Sequence, residues 1–447
     1  RENKASAFTP KIFEAADSPI QFKIKMKKYQ PQDEYPRASS LESGNPITSN
    51  KNQNIFYLVV ETLRGDFVSP EVMPNLFSFK NQELSFPVTR SNGNATHVSW
   101  DAIYLSSLPL YWSQTHSRPA SKGSIPFKEF KKAGFKIHVF TTELDSMFWD
   151  AKKIYFGDSP VYDSYFEADD ESPSGTDKQS LEALKEMLLK NGRSGKNLYI
   201  INIDSAHHDY FWPPDFQPKF LPYTDLTSNL RWKYNLELAE RIKNKYLNSL
   251  FYVDTLLGDF FQFLKNNKLY DDSIIATVGD HGEEFLEKGF FAHGASLYNT
   301  QINAGIFLKI PGVKKEQLPN IVSQVDILPT LLDVVGAYQK EAFEFLEGQS
   351  VLNLKAPGDH FAVSFSSEGT MTPYRGVLSN QFGKLFFELD REDPLNSSRL
   401  TVTEVLDIHD RPLVDVHTEP EKAKALIQQH FLKNLKEMRF LEELSEI

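Results

Sequence analysis

The feature that most limits how this chain can fold is a set of short, unbroken apolar runs. Asn54-Ile-Phe-Tyr-Leu-Val-Val60 contains no charged residue. A strand made from it must be buried on both faces, as in a parallel sheet covered by helices. Comparable runs recur at Lys136–Phe140, Asn197–Ile203, Ser273–Val278 and Ala304–Ile310. Between them the apolar period lengthens to three or four. Helices are predicted over 97–107, 124–133, 176–191, 229–266 and 326–335. The long one carries Leu236, Ala239, Ile242, Tyr246, Leu250, Val253, Leu257 and Phe261 in one stripe. Strands alternating with helices predict an α/β domain with a three-layer, doubly wound, mostly parallel sheet.

The rhythm changes near residue 358. His360–Phe365, Tyr374–Leu378, Lys384–Leu389 and Thr401–Leu406 read as short strands of a small antiparallel sheet, closed by a terminal helix over 419–445. Residues 1–52 lack periodicity, and Gln30–Asn54 is rich in Pro, Ser, Asn and Gln. They read as a linker or a strap lying over a domain. The expected boundaries are therefore 1–52, 53–357 and 358–447.

Composition removes several functions. The 447 residues include no cysteine, which excludes thiolate metal sites, cysteine nucleophiles and disulfide scaffolds. The formal net charge of −11 argues against nucleic acid as a partner. The longest clean apolar run, Ile55–Val60, is far short of the roughly 20 residues a membrane span needs.

In an open α/β sheet the site lies at the carboxyl ends of the strands. Glu61-Thr-Leu-Arg-Gly-Asp66 follows the first run, Asp204-Ser-Ala-His207-His208 follows the third, and Gly279-Asp280-His281-Gly-Glu-Glu284 follows the fourth. The turn Ser91-Asn-Gly-Asn-Ala-Thr96 leads straight into a helix. Each has an ordinary structural explanation: Glu61 or Thr96 as a helix cap, Asp280-His281 as a turn, His207-His208 as a surface loop. All four, however, converge on one sheet edge. Glu61, Asp280 and His281 make a usable ligand set for a divalent ion. A Thr96 hydroxyl at a helix start suits a nucleophile that carries a phosphoryl group.

The order Glu-Thr-Leu-Arg-x-Asp, Gly-Asn-x-Thr, a strand-end His, then Gly-Asp-His-Gly-Glu-Glu and a later His-Gly resembles the alkaline phosphatase/sulfatase superfamily. Asp326-Ile-Leu-Pro-Thr-Leu-Leu332 and Gly348-Gln-Ser350 resemble its post-site helix and turn, so the likeness covers residues 54–390. Sulfatases carry Cys or Ser followed by x-Pro-x-Arg at the nucleophile, whereas His97-Val-Ser-Trp100 follows Thr96 here. Their calcium-binding acidic pairs read Glu61-Thr62 and Asp280-His281. An imidazole in the set moves preference from Ca²⁺ (and Mg²⁺) towards Zn²⁺ or Mn²⁺.

Both departures resemble the extracytoplasmic domains of lipoteichoic-acid synthases and phosphoethanolamine transferases. That resemblance implies a metal-dependent transferase acting on a phospholipid head group, on the outer face of a bacterial inner membrane, with a membrane region ahead of the linker. It implies Glu61, Asp280, His281 and Thr96 as metal ligands, with Thr96 also the nucleophile. His207 matches the substrate-side or leaving-group histidine, His208 is its register-shifted alternative, and His293 in Phe-Ala-His-Gly is a second substrate-side histidine. Trp149 and Lys152 match the substrate-binding segment, where the synthases have an Arg that Ser146–Lys153 lacks. Lys152 would serve there as a point charge. Two other functions stay open: a soluble phosphodiesterase or sulfatase, and a non-catalytic lipid sensor of the bacterial envelope.

Overall fold

The computed structural model describes residues 18–28, 53–117, 121–141, 150–191, 195–225, 235–313, 318–337, 344–352, 354, 357–367 and 373–446. The main sheet has seven strands: β1 (Asn54–Val60), β2 (Leu84–Ser85), β3 (Lys136–Thr141), β4 (Ser164–Glu167), β5 (Asn197–Ile203), β6 (Ile274–Gly279) and β7 (Ile306–Lys309). Their order is β2-β7-β6-β1-β5-β3-β4. The pairs from β6 to β4 are parallel, while β7 runs antiparallel to both of its neighbours. The sheet is thus mostly parallel, as the apolar runs predict.

Every residue of β1 is buried, and its side chains alternate between two cores. Ile55, Tyr57 and Val59 face the helices Ile125–Lys132, Ala151–Phe156 and Ile327–Val334. Phe56, Leu58 and Val60 face Pro74–Gln82, Pro173–Asn191 and Leu236–Asn266. That is the three-layer arrangement. The long helix starts where Asn235 caps it, its side chain accepting from the Leu238 amide at 2.8 Å. Among the described residues no helix is long and apolar enough to cross a membrane.

A second antiparallel sheet combines Ala362–Phe365, Arg375–Ser379, Gly383–Glu388, Arg399–Asp407, Pro412–Val414, Gln21–Met26 and Leu441–Glu446. Two readings need correction here. Gln21–Met26, inside the segment read as a linker or strap, is a strand paired with both Arg399–Asp407 and Leu441–Glu446. The helix expected over 419–445 is two helices, Pro420–His430 and Leu432–Glu437, followed by a strand. Met438, Leu441 and Leu444 fit a helical stripe, yet Gln21–Met26 offers an open ladder from the far end of the chain. The last residues take those hydrogen bonds instead.

The second sheet is not independent. Its core includes Ala102, Leu108, Leu110, Tyr111 and Val325 of the main domain. Asn92 Nδ2 donates to the Val363 carbonyl at 2.8 Å, and the Phe365 amide donates to the Asn92 carbonyl at 2.8 Å. Limited proteolysis should therefore cut in loops without releasing a folded C-terminal fragment; a stable fragment beginning near residue 358 would contradict this shared core.

Candidate active site

The pairing register brings three strand ends level. Val60 lies opposite Ile203 on one side and Gly279 on the other, so Glu61 emerges beside Asp204 and Asp280. Thr62, the next residue, has φ 50°, a conformation unfavourable for a β-branched residue. Three hydrogen bonds hold it there. Its amide donates to Asp280 Oδ1 at 2.8 Å, its hydroxyl to the Ala206 carbonyl at 2.5 Å, and its carbonyl accepts from the Tyr246 hydroxyl at 2.5 Å. This turn ties all three strand ends together.

Glu61, Asp280 and His281 are buried, with one ligand-type atom from each lying within 4.8 Å of the others. Among the described residues this is the one such group. His281 Nε2 stands 3.4 Å from both Glu61 Oε1 and Asp280 Oδ2. The polar atoms facing away from this point are engaged. Asp280 Oδ1 accepts from the Thr62 and His281 amides at 2.8 and 2.7 Å, and His281 Nδ1 donates to the Gly282 carbonyl at 2.9 Å. That bond fixes the tautomer with Nε2 as the free lone pair. Asp280 Oδ2 has no hydrogen-bond partner. Burial, reinforced by the Glu61 carboxylate, drives the Asp280 acid well above its ordinary range. Burial also lowers His281 to about 4, which leaves its imidazole neutral.

Two buried carboxylates, an orphaned oxygen and a neutral imidazole aimed at one point are what a divalent cation needs, and without one they are an uncompensated cost. The donor set fits a metal.

Thr96 completes the set. The helix it begins has Ala95 as its N-cap, with no side-chain cap bond, so Thr96 is not a cap. Its hydroxyl instead crosses to the other strand ends, 3.1 Å from Glu61 Oε1 and 3.2 Å from His281 Nε2. The helix expected over 97–107 is shorter: Thr96–Trp100 is one α-helical stretch, and Asp101–Leu105 continues as a π-turn ended by Ser106 at φ 53°. The turn before it is anchored by Asn94. Its Nδ2 donates to the Ser296 carbonyl at 2.9 Å, and its Oδ1 accepts from the Ser367 amide at 2.8 Å.

His293 lies over the group, its ring centroid 4.2 Å from that of His281 and its Nδ1 3.2 Å from Glu283 Oε2. Burial alone would lower it, but the Glu283 carboxylate pushes it up to about 9, so it is protonated at neutral pH. His207 stands at the rim, its Nδ1 3.2 Å from the His208 carbonyl. Burial lowers it, yet the Glu61 and Asp204 carboxylates outweigh this and hold it above its ordinary value. His208 points to Asp209 at 3.6 Å and is held low, mainly by burial. Trp149 lies outside the described residues. Lys152 has its ammonium 4.1 Å from the ring centroid of Tyr165 on the outermost strand β4, away from the Glu61 group.

Sequence reasoning missed several supporting residues. Gln324 Nε2 donates to the Gly279 and Asp280 carbonyls at 2.7 and 2.5 Å from behind. Glu284 is a staple rather than a ligand: it accepts from the Lys288 and Phe290 amides, the Thr300 hydroxyl at 2.8 Å and Gln301 Nε2 at 3.1 Å. His97 adds another imidazole next to Thr96 in the chain, lowered to about 4 by burial and by neighbouring His281, His116 and His293. Its place next to Thr96 was the available signal.

Gly282 shows how tightly the ligand loop is packed. A Cβ there would sit 2.2 Å from the Thr300 carbonyl oxygen. Gly282→Ala must push the loop away, so thermal unfolding should show a loss of roughly 1–3 kcal/mol. A melting temperature equal to wild type would contradict that packing.

The sulfatase family model matches residues 53–337. The chain belongs to the sulfatase family. Its fold neighbours include a phosphoethanolamine transferase, phosphonate monoester hydrolases and a protein of the alkaline phosphatase superfamily, and this sulfatase-family chain carries a buried Glu61, Asp280 and His281 group that could hold a metal ion. Dog (Canis lupus familiaris) arylsulfatase K is 30% identical over 135 residues, which is 30% of this chain and 24% of that protein. The aligned stretch thus spans about a quarter of that relative's length. Among solved structures, the lipoteichoic acid synthase LtaP from Listeria monocytogenes superposes with a TM-score of 0.57 at 17% identity, covering 90% of this sulfatase-family chain and 96% of that one. The periplasmic domain of the phosphoethanolamine transferase EptC from Campylobacter jejuni gives 0.50 at 20%, covering 68% and 95%. The phosphonate monoester hydrolase of Agrobacterium radiobacter gives 0.62 at 13%, covering 87% and 96%. At these identities the likeness is one of fold.

Proposed function

We infer that this chain is a metal-dependent phospho-transferase that takes the phosphorylated head group of a membrane phospholipid, phosphoglycerol or phosphoethanolamine, onto Thr96 and passes it to an acceptor hydroxyl. The observation that carries this reading is the Thr96 hydroxyl, 3.1 Å from Glu61 and 3.2 Å from His281, with neither Pro nor Arg in the next four residues, His97-Val-Ser-Trp100. Glu61, Asp280, His281 and Thr96 would hold the ion, Zn²⁺ or Mn²⁺ by the mixed imidazole and carboxylate donors. When bound, it lowers the pKa of an adjacent hydroxyl and offsets phosphate charge.

The chain's own residues supply the rest. Thr96 Oγ1 forms the bond to phosphorus while the bond from phosphorus to the diacylglycerol oxygen breaks. The hydroxyl proton passes to Glu61 Oε1, its hydrogen-bond acceptor. Protonated His293 faces the phosphate oxygens, and the leaving alkoxide takes its proton from His207, whose position at the rim suits the leaving side. An acceptor hydroxyl then bonds to phosphorus and gives its proton to the now neutral His207, while the bond from phosphorus to Thr96 Oγ1 breaks and that oxygen takes back the proton held on Glu61. An extracytoplasmic setting is proposed with this reading, in keeping with the periplasmic fold neighbour EptC.

The second reading, a soluble phosphodiesterase or sulfatase with water as acceptor, draws on the arylsulfatase relative and the phosphonate hydrolase neighbour. The test is a side-by-side assay of the metal-loaded protein on phosphatidylglycerol and phosphatidylethanolamine vesicles, a chromogenic phosphodiester and an aryl sulfate. Release of diacylglycerol is the expected result. Faster hydrolysis of the aryl sulfate, or of the chromogenic diester with the vesicles inert, favours the hydrolase. A metal-loaded protein inert on all four points to a lipid sensor.

A further inference from the structure

Behind the ligand loop, one buried ion pair fastens the second sheet to the site. Lys384, on the strand Gly383–Glu388, is fully buried and paired with Asp410. Its ammonium also reaches Asn299 Oδ1 at 3.1 Å and the Leu297 carbonyl at 3.4 Å. Asp410 sits in the turn between Arg399–Asp407 and Pro412–Val414, and its Oδ2 accepts from the Asn299 amide at 2.7 Å. Asn299 Nδ2 donates to the Ile408 carbonyl at 2.8 Å, and Lys288 Nζ donates to the Asp410 carbonyl at 3.0 Å. The second sheet therefore grips Asn299 by both backbone and side chain.

Asn299 opens the short helix Asn299–Ile302, and the following residues hold the site from three directions. The Gln301 carbonyl accepts from the Gly282 amide at 2.8 Å, next to His281. Gln301 Oε1 accepts from the Ala295 and Ser296 amides at 3.0 Å each, closing the loop that carries His293. The Ile302 carbonyl accepts from the Ser91 amide at 2.9 Å, at the start of the turn that presents Thr96. One helical turn thus joins a metal ligand, a substrate-side histidine and the nucleophile turn.

We propose that the Lys384–Asp410–Asn299 clamp is the device by which the second sheet sets the positions of His281, His293 and Thr96, so that Lys384 and Asp410 are positioning residues for the metal site. An apolar pair of similar volume would fill the same space but would leave the Asn299 amide, its Oδ1 and the Leu297 carbonyl without these partners and Arg90 without its counter-charge. What a charged pair adds is direction: Asp410 accepts at a defined angle from the Asn299 amide, and Lys384 donates to its side chain. The proposal rests on Glu61, Asp280 and His281 binding a metal, and its test reads that binding separately.

Purified protein is titrated with Co²⁺ and followed by its visible absorption, with thermal unfolding of each variant measured in parallel. Lys384→Met removes the ammonium paired with buried Asp410, leaving Arg90 as the facing cation, and should lower both the melting temperature and Co²⁺ affinity. Lys384→Met/Asp410→Leu removes both charges but leaves buried Arg90 without its counter-charge, so it should fold with a lowered melting temperature, and with Co²⁺ affinity about 10–100-fold below wild type and a shifted absorption band. Asn299→Ala, at a half-buried position, should show the same loss of affinity with the fold intact. A folded double variant, or folded Asn299→Ala, with wild-type Co²⁺ affinity and spectrum would overturn the proposal. Wild-type protein that takes up no Co²⁺, or whose uptake is unchanged by Asp280→Asn, would overturn the metal reading itself and the clamp's role with it.

Discussion

Thr96→Ala should abolish turnover on the preferred phosphodiester by at least a few hundred-fold while leaving a folded, metal-competent protein. The Thr96 hydroxyl is placed against Glu61 Oε1 and His281 Nε2, so removing it takes away the attacking oxygen and nothing else of the ligand set. The fold should lose only about 1 kcal/mol, the net worth of one hydrogen bond, because Ala95 and not Thr96 is the helix cap. Activity, metal content and melting temperature together check this. Wild-type protein quenched in acid during turnover should carry a phosphorus-bearing adduct on Thr96, found by mass spectrometry and absent from the variant. A variant with wild-type turnover would remove Thr96 from the chemistry.

Asp280→Asn should reduce bound metal from about one equivalent to a small fraction, with an effect on stability that depends on the metal. Asn keeps the Oδ1 acceptor for the Thr62 and His281 amides, so the turn holding both strand ends should persist. What disappears is a buried carboxylate whose Oδ2 has no partner and which burial and Glu61 push towards its protonated form. Without metal the variant should therefore be at least as stable as wild type, since the cost of burying that carboxyl, as a charge or by taking up a proton, has been removed. With metal at 100 times its dissociation constant, wild type should gain about 2.7 kcal/mol and the variant close to none. Elemental analysis and paired thermal melts check both signs. Equal metal content in wild type, Asp280→Asn and Asp280→Ala would show that the ion, if bound, lies elsewhere.

The fold and the site were legible to different depths. Runs such as Asn54–Val60 and Asn197–Ile203 identify strands buried on both faces, because a continuous apolar stretch needs cover on each side; strand direction was not legible, since the similar run at 304–310 forms an antiparallel strand. With the strands known, Glu61, Asp280 and His281 follow as strand-end residues, and their chemistry as hard oxygens plus an imidazole follows from residue type alone.

Other features were set by partners far along the chain. Met438 to Leu444 carries a pattern that suits a helix, but it becomes a strand because Gln21–Met26, more than 400 residues earlier, offers it a ladder. Thr96 has the look of a cap; its hydroxyl turns towards Glu61 and His281 only because the pairing of β1 with β6 brings those residues within reach. Gln324 behind Asp280, Glu284 as a staple and Lys384 paired with Asp410 have no local signature either. The sequence alone determined which residues stand at the sheet's edge, because burial of an apolar run is a local property. Only the tertiary structure decided which polar atoms face one point and which hold that point in place, because a hydrogen bond's partner is chosen by proximity in space.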